Sequence, residues 1–104
     1  MLKPTFAEFK TIIAQGVALI DFDVAWCAPC RVQKTIIDAL ARRFSGRVAV
    51  AVMDVDQNSR LANKMQIKSV PTLVLFKKGK EVSRLIGLQS EETLSKAMEN
   101  ALRE

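Results

Sequence analysis

The chain has no histidine and no tyrosine, and its 104 residues include only two cysteines, three prolines, four glycines and one tryptophan. Structural zinc wants four ligands, usually cysteine and histidine, so a two-cysteine chain without histidine could hold that metal only by sharing a four-thiolate site with a second copy. No metal site is expected within one chain. The shortage of aromatic rings leaves little to stack on bases, and the basic residues are scattered in small groups such as Arg42, Arg43 and Arg47, or Lys77, Lys78 and Lys80. The net charge of +5 and pI near 9.6 therefore read as a solvated basic surface suited to acidic protein partners, not as a nucleic-acid interface.

Long apolar runs are absent too. Thr11 to Ile20 is too short to span a bilayer, is interrupted by Gln15 and Gly16, and has no signal-peptidase-like site after it. The expectation is a cytoplasmic protein with no membrane partner, in a compartment that keeps thiols reduced. No repeat, linker or low-complexity segment divides residues 1–104, and a chain this size buries one core, about 60 to 70% of its unfolded surface. One domain and a monomer are expected. There is no G-x-G-x-x-G, so any electrons must come from a partner carrying its own cofactor.

What is present is concentrated at Trp26-Cys27-Ala28-Pro29-Cys30, directly after the apolar run Ala18 to Phe22. If Pro29 begins a helix, where its missing N–H costs nothing, Cys27 falls at the N-cap and Cys30 in the first turn. Residues three apart on a helix have Cβ atoms roughly 5 to 6 Å apart, within easy reach of a disulfide. The helix end favours an anionic sulfur at Cys27, while Cys30 points back under the turn, so Cys27 should attack and Cys30 resolve. A permanent bridge over so short a loop would add little stability. A dithiol redox site is the favoured reading, with the shared metal and the permanent bridge as rivals, and the redox-active Cys27–Cys30 disulfide takes the place of a cofactor.

The element pattern is αβαβαββα. Thr5 and Glu8 form a T-x-x-E capping box ahead of an apolar face of Phe6, Phe9, Ile12 and Ile13, stopped by Gly16. Strands are expected at Val17 to Phe22 and Val48 to Met53, parallel and covered on both faces. The helix between them carries Val32, Ile36, Ile37, Leu40, Ala41 and Phe44 at helical spacing up to Gly46. A short helix over Ser59 to Met65 precedes a hairpin, Thr72 to Phe76 and Glu81 to Ile86, turned through Lys78 and Gly79. Ser90 caps a last helix that turns Leu94, Ala97, Met98, Ala101 and Leu102 inward. The fold class is α/β: a mixed sheet of parallel strands plus a C-terminal antiparallel hairpin, with helices on both faces.

The stretch Asp21-Phe22-Asp23-Val24-Ala25-Trp26-Cys27-Ala28-Pro29-Cys30-Arg31 resembles the active-site region of thioredoxins. Asp54-Val55-Asp56-Gln57-Asn58, Val70-Pro71-Thr72-Leu73-Val74-Leu75-Phe76, Gly79 and Gly87 fall in that family's order and spacing, so the similarity covers nearly the whole chain. It implies a thioredoxin fold and a protein-disulfide reductase that works in electron transport and cell redox homeostasis. Its partners would be disulfide-containing client proteins and a thioredoxin-reductase-type donor. The resemblance also implies that Asp21 is a buried acid relaying protons for Cys30. It implies a cis Pro71, a Val70 backbone that pairs with an extended substrate, and a substrate surface of Trp26, Ala28, Pro29, Val70, Pro71, Gly87 and Leu88. The alternative on the same fold is a binding or structural subunit whose thiols are dispensable.

The sequence also departs from the family pattern. Asp23 stands where a second tryptophan is usual, Ala28 replaces the glycine between the cysteines, Val52 replaces a lysine that accompanies the buried acid, and Thr35 replaces a helix-kinking proline. Without that proline the helix should be straighter, and without the aromatic at position 23 the surface beneath the site should open. Asp21 and Asp23 share a strand face about 6 to 7 Å apart, with no lysine at position 52 to offset their repulsion, so Asp21 should titrate high. Asp23 and Arg31 are expected to tune the dithiol in opposite directions, a nearby carboxylate disfavouring thiolate and a guanidinium favouring it.

Overall fold

The computed structural model describes residues 4–104. The elements run α1 (Phe6–Ala14), β1 (Val17–Asp23), α2 (Ala28–Arg43), β2 (Val48–Asp54), α3 (Ser59–Lys64), β3 (Thr72–Lys77), β4 (Lys80–Ile86) and α4 (Glu91–Arg103), the expected order, each strand within one residue of its expected ends. The sheet order is β2-β1-β3-β4; β1 pairs with β2 in parallel and with β3 antiparallel, and β3 with β4 antiparallel.

Every residue of β1 is buried, because helices cover both sheet faces. Side-chain alternation divides the strand between two layers. Val17 and Leu19 join Val50, Leu73 and Leu75 beneath Ile37, Leu40 and Phe44 of α2 and Leu94, Met98 and Ala101 of α4. Ala18, Ile20 and Phe22 join Met53 and Val74 against Phe9 of α1 and Leu61 of α3. Burying each large apolar side chain this way contributes roughly 1.5–3 kcal/mol. By the same alternation Asp21 and Asp23 face the α2 side.

The helix ends follow their local chemistry. Thr5 Oγ1 accepts the Glu8 N–H at 3.3 Å while the Thr5 N–H donates to Glu8 Oε1 at 2.9 Å, closing the capping box. Ser90 caps α4 by accepting the Thr93 N–H at 3.1 Å. Thr35 leaves α2 unbroken for 16 residues, which end at Arg43 with Phe44 as C-cap. Lys78 and Gly79 take positive φ of 52° and 85°, the pair of conformations a two-residue hairpin of this twist demands.

Two apolar residues lie elsewhere than expected. Phe6, 45% exposed, lines an open hollow against α3 beside Leu61, because Phe9 already fills the space over the sheet edge-on to Phe22 and Phe76. Val32 is exposed, because the inward stripe of α2 runs Cys30, Gln33, Ile37, Leu40, with the polar Gln33 in the slot that apolar periodicity assigns to its neighbour. No helix among the described residues is long and apolar enough to cross a membrane.

Candidate dithiol site

The site forms where β1 hands over to α2, at the carboxyl end of the parallel β1–β2 pair. Cys27 is the N-cap, in an extended conformation (φ −90°, ψ 118°), and its Sγ accepts the Cys30 N–H at 3.2 Å. Ala28 is the first helical residue and Pro29 the second, one place later than a helix begun by the proline; at either position the helix would leave an N–H unpaired, so the proline's lack of one costs nothing. The sulfurs are unbridged. Cys30 is 1% exposed and Cys27 7%, within a small cluster with Val24 against which Val55 and Val70 pack. Burial pushes the Cys30 thiol up to about 12, and the neighbouring Cys27 adds to the shift.

The loop before β3 closes the site from the other side. The Val70–Pro71 peptide bond is cis, and the Val70 carbonyl accepts the Cys27 thiol at 3.9 Å. Pro71 is itself buried; its carbonyl accepts the Gly87 N–H at 2.8 Å, which brings the β4–α4 loop alongside. The surface left around Cys27 is apolar: Trp26 is 74% exposed and Leu88 48%, Ala28 and Pro29 are exposed, and Val70 and Gly87 are half-buried. Ile86, 65% exposed, stands next to this surface although no motif marks it. Trp26 anchors its indole by donating to Asp56 Oδ2 at 3.2 Å. Arg31 is exposed on the first turn of α2.

On β1, two residues before Asp23, Asp21 is fully buried and neither carboxylate oxygen has a hydrogen-bond partner. Its pKa is raised to about 7, chiefly by burial and secondarily by the charge of Asp23. The expectation that nothing offsets this repulsion is corrected by Lys34. Its Nζ lies 3.9 Å from Asp23 Oδ2, and its charge pulls Asp21 back down. The signal is in the sequence, since Lys34 follows Cys30 by four residues and so shares its helix face. A polar cleft of about 170 Å³ opens at Asp23, where the family pattern has an aromatic.

Sequence patterning also passes over Gln33. Fully buried, it accepts the Gln89 N–H at 2.7 Å and donates to the Gln89 carbonyl at 3.0 Å, stitching α2 to the loop that carries Gly87 and Leu88. Gln33→Leu keeps the volume but strands both backbone groups, and should cost about 1–3 kcal/mol with faster amide exchange at Gln89. Urea denaturation and hydrogen exchange measure both; unchanged stability would mean that water replaces the side chain. Among the described residues no three acidic, cysteine or histidine side chains cluster as a metal would require.

The thioredoxin family model matches residues 1–100. Thioredoxin from Staphylococcus aureus is 34% identical over 102 residues, spanning 98% of this chain and 98% of its own. A mutant thioredoxin from Halobacterium salinarum superposes with a TM-score of 0.88 at 34% identity, covering 97% of this chain and 88% of its own. A chain from a structural study of thiol resolution in yeast mitochondrial 1-Cys peroxiredoxin via glutathione/thioredoxin systems gives a TM-score of 0.86 at 25% identity, over 96% of this chain and 94% of that one. With motif, fold and relatives in agreement over nearly its full length, the chain belongs to the thioredoxin family of thiol–disulfide oxidoreductases.

Proposed function

We propose that this protein is a protein-disulfide reductase working as a single-domain monomer in the cytoplasm. The observation that carries the reading is the difference between the two sulfurs: Cys27 caps the helix beside an exposed apolar surface, and Cys30 lies buried one turn inward. Cys27, as thiolate, attacks one sulfur of a client disulfide, forming a mixed disulfide and releasing the other client sulfur as a thiolate. The Cys30 proton passes to the Asp21 carboxylate as Cys30 sulfur attacks Cys27. The Cys27–client bond breaks, the Cys27–Cys30 bond forms, and the client leaves with two thiols once water protonates it. Because the Cys30 thiol is held so high, its proton leaves in step with the attack and not ahead of it.

Trp26, Ala28, Pro29, Val70, Gly87 and Leu88 form the client surface, and Pro71 supports it from below. Arg31 and Asp23 tune the couple. A thioredoxin-reductase-type partner returns two electrons to the disulfide. A thiol peroxidase of the kind studied with the yeast relative is one class of client this surface would take.

The test is a redox titration against a dithiol buffer, read by emission of Trp26, the single tryptophan and the neighbour of Cys27. One reversible two-electron transition is expected, with a slope of about 30 mV per tenfold change in ratio. Thiols that stay free, or blocked, across the titration would overturn the reading.

A further inference from the structure

The cleft beside the site is lined by Pro4, Asp23, Lys34, Val52, Asp54, Gln57 and Asn58, and its volume of about 170 Å³ is room for several waters at about 30 Å³ each. Two of these residues lie against the buried carboxyl: Val52 is the register partner of Asp21 on β2, and Asp23 is the next residue along on the same face of β1. On α2, Cys30 and Lys34 are one turn apart, so one helix face lays a thiol and an ammonium along the row of the two acids.

Among the described residues, the other elements packed on this face contribute no charge at that level. At the register of Asp21, β2 offers Val52 and β3 offers Leu73, while α4 turns Leu94 and Met98 inward. Further out, Asp54 pairs in register with Asp23 and accepts the Gln57 N–H at 3.0 Å. Among the described residues, the charges that act on Asp21 are therefore Asp23 and Lys34, with Asp54 at the rim of the cleft, and Asp23 also acts on the Cys30 thiol.

We propose that the Asp23–Lys34 pair is the solvent port of Asp21, and that Lys34 is a positioning residue whose ammonium allows the buried carboxyl to ionise between turnovers. The inference rests on the reading of Asp21 as the acceptor of the Cys30 proton. In each cycle Asp21 takes one proton from Cys30 while the Cys27–Cys30 bond forms. It must return that proton to water before the next reduced site can resolve a client. A carboxyl with no hydrogen-bond partner, walled by Val52 and Leu73, can do so only on a polar side, and the Asp23–Lys34 cleft supplies one. The cation that the family pattern places at position 52 is thus delivered from α2. The signs of the two charges agree with this arrangement, Asp23 pushing the Asp21 carboxyl up and Lys34 drawing it down.

The experiment is single-turnover reduction of a synthetic peptide disulfide by prereduced protein from pH 5 to 9, following the resolution phase by Trp26 emission. Wild type, Lys34→Gln, Lys34→Arg, Asp23→Asn and Asp21→Asn are compared. Lys34 is part-exposed, so its variants should fold. Lys34→Gln is expected to raise the midpoint of the profile by about 1 pH unit, close to tenfold in rate on its acid side. Asp23→Asn should lower the midpoint, and Lys34→Arg should restore it. A merely structural role would scale the rate at every pH and leave the midpoint alone, which would overturn the port. Loss of the ionisation in Asp21→Asn while Lys34→Gln titrates like wild type would sink the port but keep the acceptor. An Asp21→Asn profile like that of wild type would remove the acceptor and the port together.

Discussion

Cys30→Ser protein, mixed with a disulfide-bearing client, is expected to stop as a covalent adduct through Cys27, whereas Cys27→Ser should lose on the order of a thousandfold or more in reductase rate and trap nothing. The asymmetry follows from geometry. Cys27 stands at the rim of the Trp26–Leu88 surface, with its Sγ held by the Cys30 N–H at 3.2 Å and reaching the Val70 carbonyl at 3.9 Å. A client sulfur arriving along that loop meets Cys27 first. Cys30, 1% exposed behind it, has no path to a foreign disulfide until a mixed disulfide has brought one to its neighbour. Removing Cys30 therefore leaves the first exchange intact and deletes only the escape. Adducts are read by mass spectrometry after alkylation under non-reducing conditions. Trapping through Cys30 in the Cys27→Ser protein would reverse the assigned roles. A Cys27→Ser, Cys30→Ser double variant that still performs the protein's task would favour a binding subunit on this fold.

Much of this arrangement is legible in the amino-acid sequence because it is written in local chemistry. A cysteine N-cap with proline at the start of its helix fixes which sulfur is outside. The Thr5–Glu8 box fixes where α1 begins, and the unbroken apolar character of Val17 to Phe22 tells that both sheet faces are covered. The rest is set by contacts between elements, which local patterns do not encode. That Lys34 rather than position 52 faces Asp23 depends on how α2 is rotated over β1, and an i, i+4 spacing from Cys30 gives the face but not its neighbour. The same rotation carries Gln33 inward and Val32 outward, against apolar periodicity, because the β4–α4 loop offers Gln33 two backbone partners. The Trp26–Asp56 bond likewise joins residues 30 apart in sequence, and it explains how a 74% exposed indole is held at the site.

The Asp21 carboxyl should make the protein progressively less stable as pH rises from about 4 to 7. Its folded pKa is raised from the ordinary 3.8 to about 7. Between those values the unfolded chain has already released the proton and the folded chain still holds it. The unfolded state therefore binds fewer protons, and raising the pH favours unfolding. At about 1.36 kcal/mol per pH unit, the gap comes to roughly 4 kcal/mol, absent below pH 3.8 and complete above about pH 7. Asp21→Asn removes the titrating group, although its amide is no better partnered than the acid, so the absolute stability at pH 4 is not the informative quantity. The difference between the two proteins is. Urea denaturation at half-unit steps should show the Asn variant gaining on wild type by a few kcal/mol across this range, with titrations remote from Asp21 cancelling. Parallel curves would mean that Asp21 ionises as an ordinary surface acid, and the site would then have lost its proton acceptor near neutrality. If the gain is found, the destabilisation is tied to function: the burial that weakens the fold is what brings the carboxyl to a pKa at which it can take a proton from Cys30 and give it back to water in one cycle.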